Sequence, residues 1–243
     1  MDTTRFELAE DIWLDCRRAV WFPNFRHLVV ADLHLGYAWA ARHSGSLFPI
    51  AGAEETLSRL VSLQEDYKPE VLTILGDVVQ RAVPIPQLFD ELSEFLKALA
   101  DRSEIVLVQG NHDRNLGRLL KEWHLPVQLV PEYRSGEHLF VHGDAALEEA
   151  SRWASSTTGR IFMGHEHPAA CIGDGVASWS KCPCFLVSKK VVVLPAFSSW
   201  AAGTIFPRYP FMSPLAQKAG FRQSIAIMGN KLLPLPFGAE AVS

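Results

Sequence analysis

The sequence predicts an α/β fold. Three observations carry that reading. Short apolar runs rich in Val, Ile and Leu recur along the first two-thirds of the chain. Stretches with helical periodicity lie between several of them. Nearly every such run ends on Asp, Asn or His.

Taken in order, Phe6–Phe22 reads as paired strands with no helix between them. His27–Ala31, Val71–Leu75, Ile105–Gln109, Leu139–His142, Ile161–Met163 and Val191–Leu194 read as buried strands, each short and bounded by Gly, Asn, Asp or Pro. Ala53–Asp66 and Pro86–Ala100 read as helices. In the second, Leu88, Leu92, Phe95, Leu96 and Leu99 share one face at the 3.6-residue period. Leu116–Trp123 and Ala145–Ala154 give weaker helical patterns. Gly203, Pro207, Pro210 and Pro214 mark an irregular loop, and Gln223–Pro236 closes the chain as a second strand pair. No composition break and no internal repeat divides the chain, so residues 1–243 are expected to form one domain.

Composition narrows the function classes. Of 243 residues, 48% are apolar and 21% charged, an ordinary globular balance that excludes long disorder and fibrous repeats. Lys plus Arg total 23 against 27 Asp plus Glu, so the formal charge of −4 supplies no basic field for nonspecific nucleic-acid binding. No charge-free run of apolar residues is long enough to span a bilayer. The acidic segment Met1–Asp11 does not resemble a signal peptide. Four cysteines are too few for a disulfide scaffold, so a reduced, cytoplasmic protein is expected.

The polar residues at the strand ends carry the chemistry. The runs lead into Asp32-Leu33-His34, Gly76-Asp77, Gly110-Asn111-His112-Asp113, His142-Gly143-Asp144 and Gly164-His165-Glu166-His167. Loops after the carboxyl ends of strands gather in one crevice of an α/β sheet. Imidazole mixed with carboxylate suits Mn, Fe, Zn or Ni, whereas an all-oxygen set would suit Mg or Ca. Asp32, His34, Asp77, Asn111, His142, His165 and His167 exceed the three protein ligands that one catalytic zinc usually takes. The surplus points to two divalent transition metals, manganese preferred, with Asp77, alone on its loop, as the bridge. Two such cations carry four positive charges against two carboxylates. The remainder suits an anionic phosphoryl group and a hydroxide, which bound metal makes available near neutral pH.

These blocks, in this order from Asp32 to His167, resemble the calcineurin-like metallophosphoesterases, whose pattern is D-x-H, G-D, G-N-H-D/E, H and G-H-x-H. The resemblance implies a four-layer sandwich of two mixed β-sheets flanked by helices. It implies Asp32, His34 and His167 on one metal and Asn111, His142 and His165 on the other. His112 would face the phosphate as general acid or transition-state stabiliser, and Asp113 would hydrogen-bond His112 and fix its ring. Asp32-Leu33-His34-Leu35-Gly36 with Arg42 and Pro49, and Leu194-Pro195-Ala196-Phe197, are similar to the ICC-like group. That group includes bacterial ligase-associated DNA-damage-response phosphoesterases. An association with DNA-repair proteins is implied on that ground alone. The chain departs from it at Tyr37, where Lys is frequent, at Gln80, and in Val141-His142-Gly143-Asp144.

The activity expected is hydrolysis of a phosphodiester, nucleotide or nucleic acid, by in-line attack of a metal-bound hydroxide. The alternative is the same fold with an inactive site serving as an interaction scaffold; the intact ligand set and His112 count against it. Arg114, Arg42 and Tyr37 follow the motif blocks and are candidates for contacting substrate phosphate, or are simply solvated. Trp39 and Trp200 are expected near the entrance. Glu166, between two candidate ligands, is expected to point away from the metals. Cys171, Cys182 and Cys184 are read as buried thiols rather than a thiolate metal site.

Overall fold

The computed structural model describes residues 3–43, 45, 53–80, 86–173, 179–201, 203–238 and 241–242. Among these, two mixed sheets form the centre. The first contains β1 (Arg5–Ala9), β2 (Ile12–Asp15), β3 (Ala19–Phe22), β4 (His27–Ala31), β5 (Val71–Leu75), β6 (Glu104–Val108) and β7 (Val127–Val130), neighbouring one another in chain order. Strands β1 to β4 pair antiparallel across tight turns. From β4 to β7 the pairing is parallel, which requires crossovers. Those crossovers carry α1 (Tyr37–His43), α2 (Ala53–Tyr67), α3 (Pro86–Ala100) and α4 (Leu116–Trp123).

The second sheet holds β8 (Tyr133–Ser135), β9 (His138–Val141), β10 (Ile161–Met163), β11 (Pro168–Gly173), β12 (Trp179–Val187), β13 (Val191–Val193), β14 (Thr204–Ile205), β15 (Gln223–Met228), β16 (Lys231–Pro236) and β17 (Ala241–Val242). Its path runs β14-β11-β12-β13-β10-β9-β8, with β15 joining β12 to β16 and β17 pairing with β11. Helices α5 (Leu147–Ser156) and α6 (Pro214–Gln217) belong to this half.

The two-residue alternation of the strands builds the layers. In β4, Leu28 and Val30 face α2, α3 and α4, while Val29 and Ala31 face the other sheet. In β9 and β10, Phe140 and Phe162 point to the inter-sheet layer, and Leu139, Val141, Ile161 and Met163 point to the opposite core beneath α5 and α6. The result is helices, sheet, sheet, helices, the four-layer sandwich that the motifs imply. Its carboxyl-end crevice is shared by two sheets rather than cut into one.

The sequence differs from the structure in detail. Phe6–Phe22 holds three strands, not a pair. The helix expected at Ala145–Ala154 runs over Leu147–Ser156, and β9 stops at Val141, leaving His142 just beyond it. Pro49 lies outside the described residues.

His27, outside the motif blocks, is a core residue. Its ring is buried, bonds Thr73 Oγ1 at 2.7 Å and packs on Phe22 and Phe140. Burial pushes its pKa down to about 3. The unfolded chain, with an ordinary histidine pKa near 6.5, takes up a proton that the folded chain refuses. Stability should therefore fall as pH drops through 6.5 toward 3, by about 2 kcal/mol between pH 7.5 and 5. Urea unfolding of wild type and His27→Gln at both pH values checks this: the variant should lose less stability on acidification, and an equal loss would refute it.

Candidate metal centre

Five loops bring the candidate ligands to one place, three from the first sheet and two from the second. Asp32 and His34 follow β4, Asp77 follows β5, Asn111 follows β6, His142 follows β9, and His165 and His167 follow β10. The backbone there is unusual. Asp32, His34, Asp77, His165 and His167 all adopt positive φ, from 45° to 68°. Asp, Asn and His tolerate this region better than most residues. Each such residue still stores about 1–3 kcal/mol, which surrounding structure must offset.

That support is visible. His34 N donates to Asp77 O at 2.9 Å, and Leu35 bridges Val79 in parallel, tying the first two ligand loops together. Phe197 N donates to Ala31 O at 2.7 Å and Ser198 N to Asp32 O at 3.1 Å, so the segment after β13 braces the end of β4. Arg18 Nη1 donates to the carbonyls of Ala196 and Ser198, and Arg59 donates to the carbonyl of Phe197. Two glycines allow close approach. A Cβ on Gly110 would lie 2.3 Å from Asp77 Oδ1, and one on Gly164 would lie 2.4 Å from Asp32 Oδ2.

The donor atoms form two groups, each lying within 4.8 Å: Asp32, His34 and His167, and Asp32, Asp77 and His142. His142 Nε2 is also 3.1 Å from Asn111 Oδ1 and 3.2 Å from His165 Nδ1. All seven expected ligands therefore meet. The carboxylate common to both groups is Asp32, whereas the sequence gives the bridging position to Asp77. Asp32, Asp77 and His142 form a buried floor, and Asn111, His165 and His167 a half-buried rim.

The donor set fits cations. His34 Nε2 and His167 Nε2 face each other at 3.1 Å, where two neutral imidazoles can share only one proton. A cation between such nitrogens satisfies both lone pairs. Burial lowers His34 and His165 to about 4, so both stand neutral at pH 7, the form that ligates metal. Burial works against ionisation of Asp32, yet the histidines around it, His167 foremost, hold its carboxyl below the usual range. For Asp77 burial prevails and its pKa rises. Burial likewise opposes protonation of His142, but the Asp32 and Asp77 carboxylates beside it raise its pKa.

His112 sits at the rim. Its amide donates to Asp77 Oδ1 at 3.0 Å, and its Nε2 lies 3.8 Å from Asp77 Oδ2. Asp113 does not hold its ring. The Asp113 carboxylate turns back to accept Gly110 N at 3.1 Å and Val79 N at 3.3 Å, and burial raises its pKa to about 6. The ring is held instead by the carbonyl of Gln80, 2.5 Å from Nδ1. A carbonyl only accepts, so Nδ1 carries the hydrogen and Nε2 is left toward Asp77.

Glu166 points away from the ligands, as expected, and accepts Ser213 N at 2.6 Å and Met212 N at 3.2 Å. Tyr37 stacks on Trp200 with ring centroids 5.9 Å apart. Both line a groove of about 850 Å³ together with His34, Trp39 and the acidic Glu91 and Glu94. Arg42 is exposed on α1, and Arg114 is exposed directly after Asp113. Burial raises the pKa of Cys182 and Cys184, which argues against thiolate ligands, and no cysteine joins a ligand group among the described residues. Among the described residues, no helix is long and apolar enough to cross a membrane.

Comparison with known proteins places this geometry. The crystal structure of a Pseudomonas putida nuclease, MPE, shares the fold, with a TM-score of 0.69 and 24% identity over 95% of this chain and 98% of that one. A protein of unknown function from Aquifex aeolicus aligns more weakly, with a TM-score of 0.41 and 18% identity over 58% of this chain and 78% of its own. No curated protein matches the sequence significantly. The model of the calcineurin-like phosphoesterases matches residues 25–186, and with all five motif blocks inside that span the chain belongs to this family.

Proposed function

We propose that the protein is a dinuclear metal-dependent phosphodiesterase acting on a nucleotide or nucleic-acid substrate. The observation that carries this reading is the convergence of seven donor side chains from five loops of two sheets. Asp32, His34 and His167 would hold one cation, and Asn111, His142 and His165 the other, with Asp77 between them. Bound divalent cations supply Lewis acidity there, lowering the pKa of water and neutralising phosphoryl charge. The preference for a diester rests on the family resemblance.

The chain's own residues supply the rest. The Gln80 carbonyl fixes the tautomer and orientation of His112. Its Nε2 then faces the site as an acceptor in the neutral ring, and it donates a proton to the leaving oxygen or a hydrogen bond to the phosphoryl group only once the ring carries a second proton. Asp113 acts through the backbone, keeping the turn that presents Asn111 and His112. The buried floor excludes water from the carboxylates and strengthens their hold on cations.

Metal removal tests the proposal. Chelated protein should not cleave bis-p-nitrophenyl phosphate, and reloading singly with Mn, Fe, Zn or Ni should restore cleavage. Undiminished activity after chelation, or no diester cleavage with any of these metals, would falsify it. A steep fall of activity with salt would mark a polymeric substrate over a small nucleotide.

A further inference from the structure

A second feature adjoins the metal centre on the side of His167. It is a cleft of about 180 Å³, walled by Arg18 of the β2–β3 turn, Lys181 and Pro183 of β12, and the segment around Ser199 and Gly203 after β13. Two cationic side chains, Arg18 and Lys181, line it. Arg18 Nη1 is engaged by loop carbonyls, but no hydrogen bond joins its Nε or Nη2 among the described residues. Lys181 is exposed, and its Nζ donates to Gly203 O at 3.1 Å. Neither forms an ion pair within 4 Å among the described residues. The carboxylate that acts on Arg18 from further away, Glu55, already accepts Ser199 Oγ at 2.8 Å and faces Arg59 at 3.9 Å.

Unpaired cations that share a concave surface attract an anion, and guanidinium and ammonium groups are both common phosphate partners. The chain has no general basic field to account for them, since its formal charge is −4. Their placement beside a candidate phosphoesterase centre is therefore local and directional. We propose that this cleft is an anion subsite that receives a second phosphate of the substrate, adjacent to the one held at the metal centre. The proposal rests on the phosphodiesterase reading and selects, within it, substrates that carry at least two phosphates.

Lys181→Glu is the informative variant, because Lys181 is exposed whereas Arg18 also braces the loop. In the first arm, metal-free full-length protein is titrated with thymidine 3′,5′-bisphosphate and its backbone amides are followed by NMR. The amides of Ala169, Lys181 and Gly203 should shift in the wild type and in a Lys189→Glu charge control, and the shifts should vanish in Lys181→Glu. No shift at these amides in the wild type, or equal shifts in Lys181→Glu, overturns the subsite. In the second arm, on metal-loaded protein, Lys181→Glu should raise KM for a 5′-phosphorylated dinucleotide roughly tenfold and leave bis-p-nitrophenyl phosphate unaffected. Equal effects on both substrates also overturn it. An unphosphorylated trinucleotide identifies the source: a larger penalty there names an internal phosphate, a smaller one a terminal phosphate. If loaded protein cleaves no diester, the functional reading fails, while the NMR arm still decides the subsite.

Discussion

Asp32→Asn is expected to strip the protein of bound metal and to lower diester hydrolysis by about a thousandfold or more, equivalent to roughly 4 kcal/mol of transition-state stabilisation. Asp32 is fully buried and is the carboxylate common to both ligand groups. It also accepts the amide of His165 at 3.1 Å, so it fixes the loop that supplies two of the histidines. An amide side chain keeps the volume but removes the charge, and its NH2 end would face donors rather than acceptors. Asp77, proposed to lie between the two cations, should be no less sensitive, so Asp77→Asn is expected to lose metal as well. Metal content per chain and kcat/KM, measured on both variants, check this. Full metal occupancy and near-normal turnover in Asp32→Asn would show that the buried carboxylate is structural only.

Phe162→Ala is expected to destabilise the fold by about 3–5 kcal/mol. Whole domains are stable by only about 5–15 kcal/mol, so this is a large share. Phe162 is fully buried between the sheets, stacked on Phe140 at 5.3 Å and edge-on to Phe22 at 5.1 Å. These rings span strands of both sheets, so a cavity there cannot collapse without shifting one sheet against the other. Denaturant unfolding of wild type and variant reads the effect. A loss below about 1 kcal/mol would mean that the inter-sheet layer repacks freely, contrary to interior packing elsewhere.

The strands, helices and ligand loops are legible in the sequence because their signals are local, whereas the four-layer order follows only from the resemblance of the motif blocks. Strands β4, β5 and β6 are unbroken apolar runs flanked by polar turns, and α3 shows its apolar face at the helical period. Placing Asp, Asn and His immediately after strands pointed to a shared crevice without any knowledge of the sheet order. Strand β12 was less legible. Its first half, Trp179 to Pro183, carries Ser, Lys and Pro, and its apolar half begins only at Cys184. Strand β11 starts directly after the last ligand, with Pro168, and no turn signal separates the two. The contact between His112 and Gln80 uses a backbone carbonyl, which side-chain identity cannot report. Asp113 follows His112 in sequence, yet the turn sends its carboxylate back to Gly110 and Val79. Nothing in the sequence marks Arg18 or Arg59, because their partners are carbonyls about 140 to 180 residues away along the chain, and only the folded sandwich brings these together.

Each ligand group recruits from both halves of the sandwich: Asp32 and His34 with His167, Asp32 and Asp77 with His142. An ion seated in either would act as a clasp across the seam. The strength of the seam would then track free-ion concentration logarithmically, as linkage requires for a ligand bound only by the folded chain. Catalytic competence and mechanical integrity would rise and fall together with cellular metal supply.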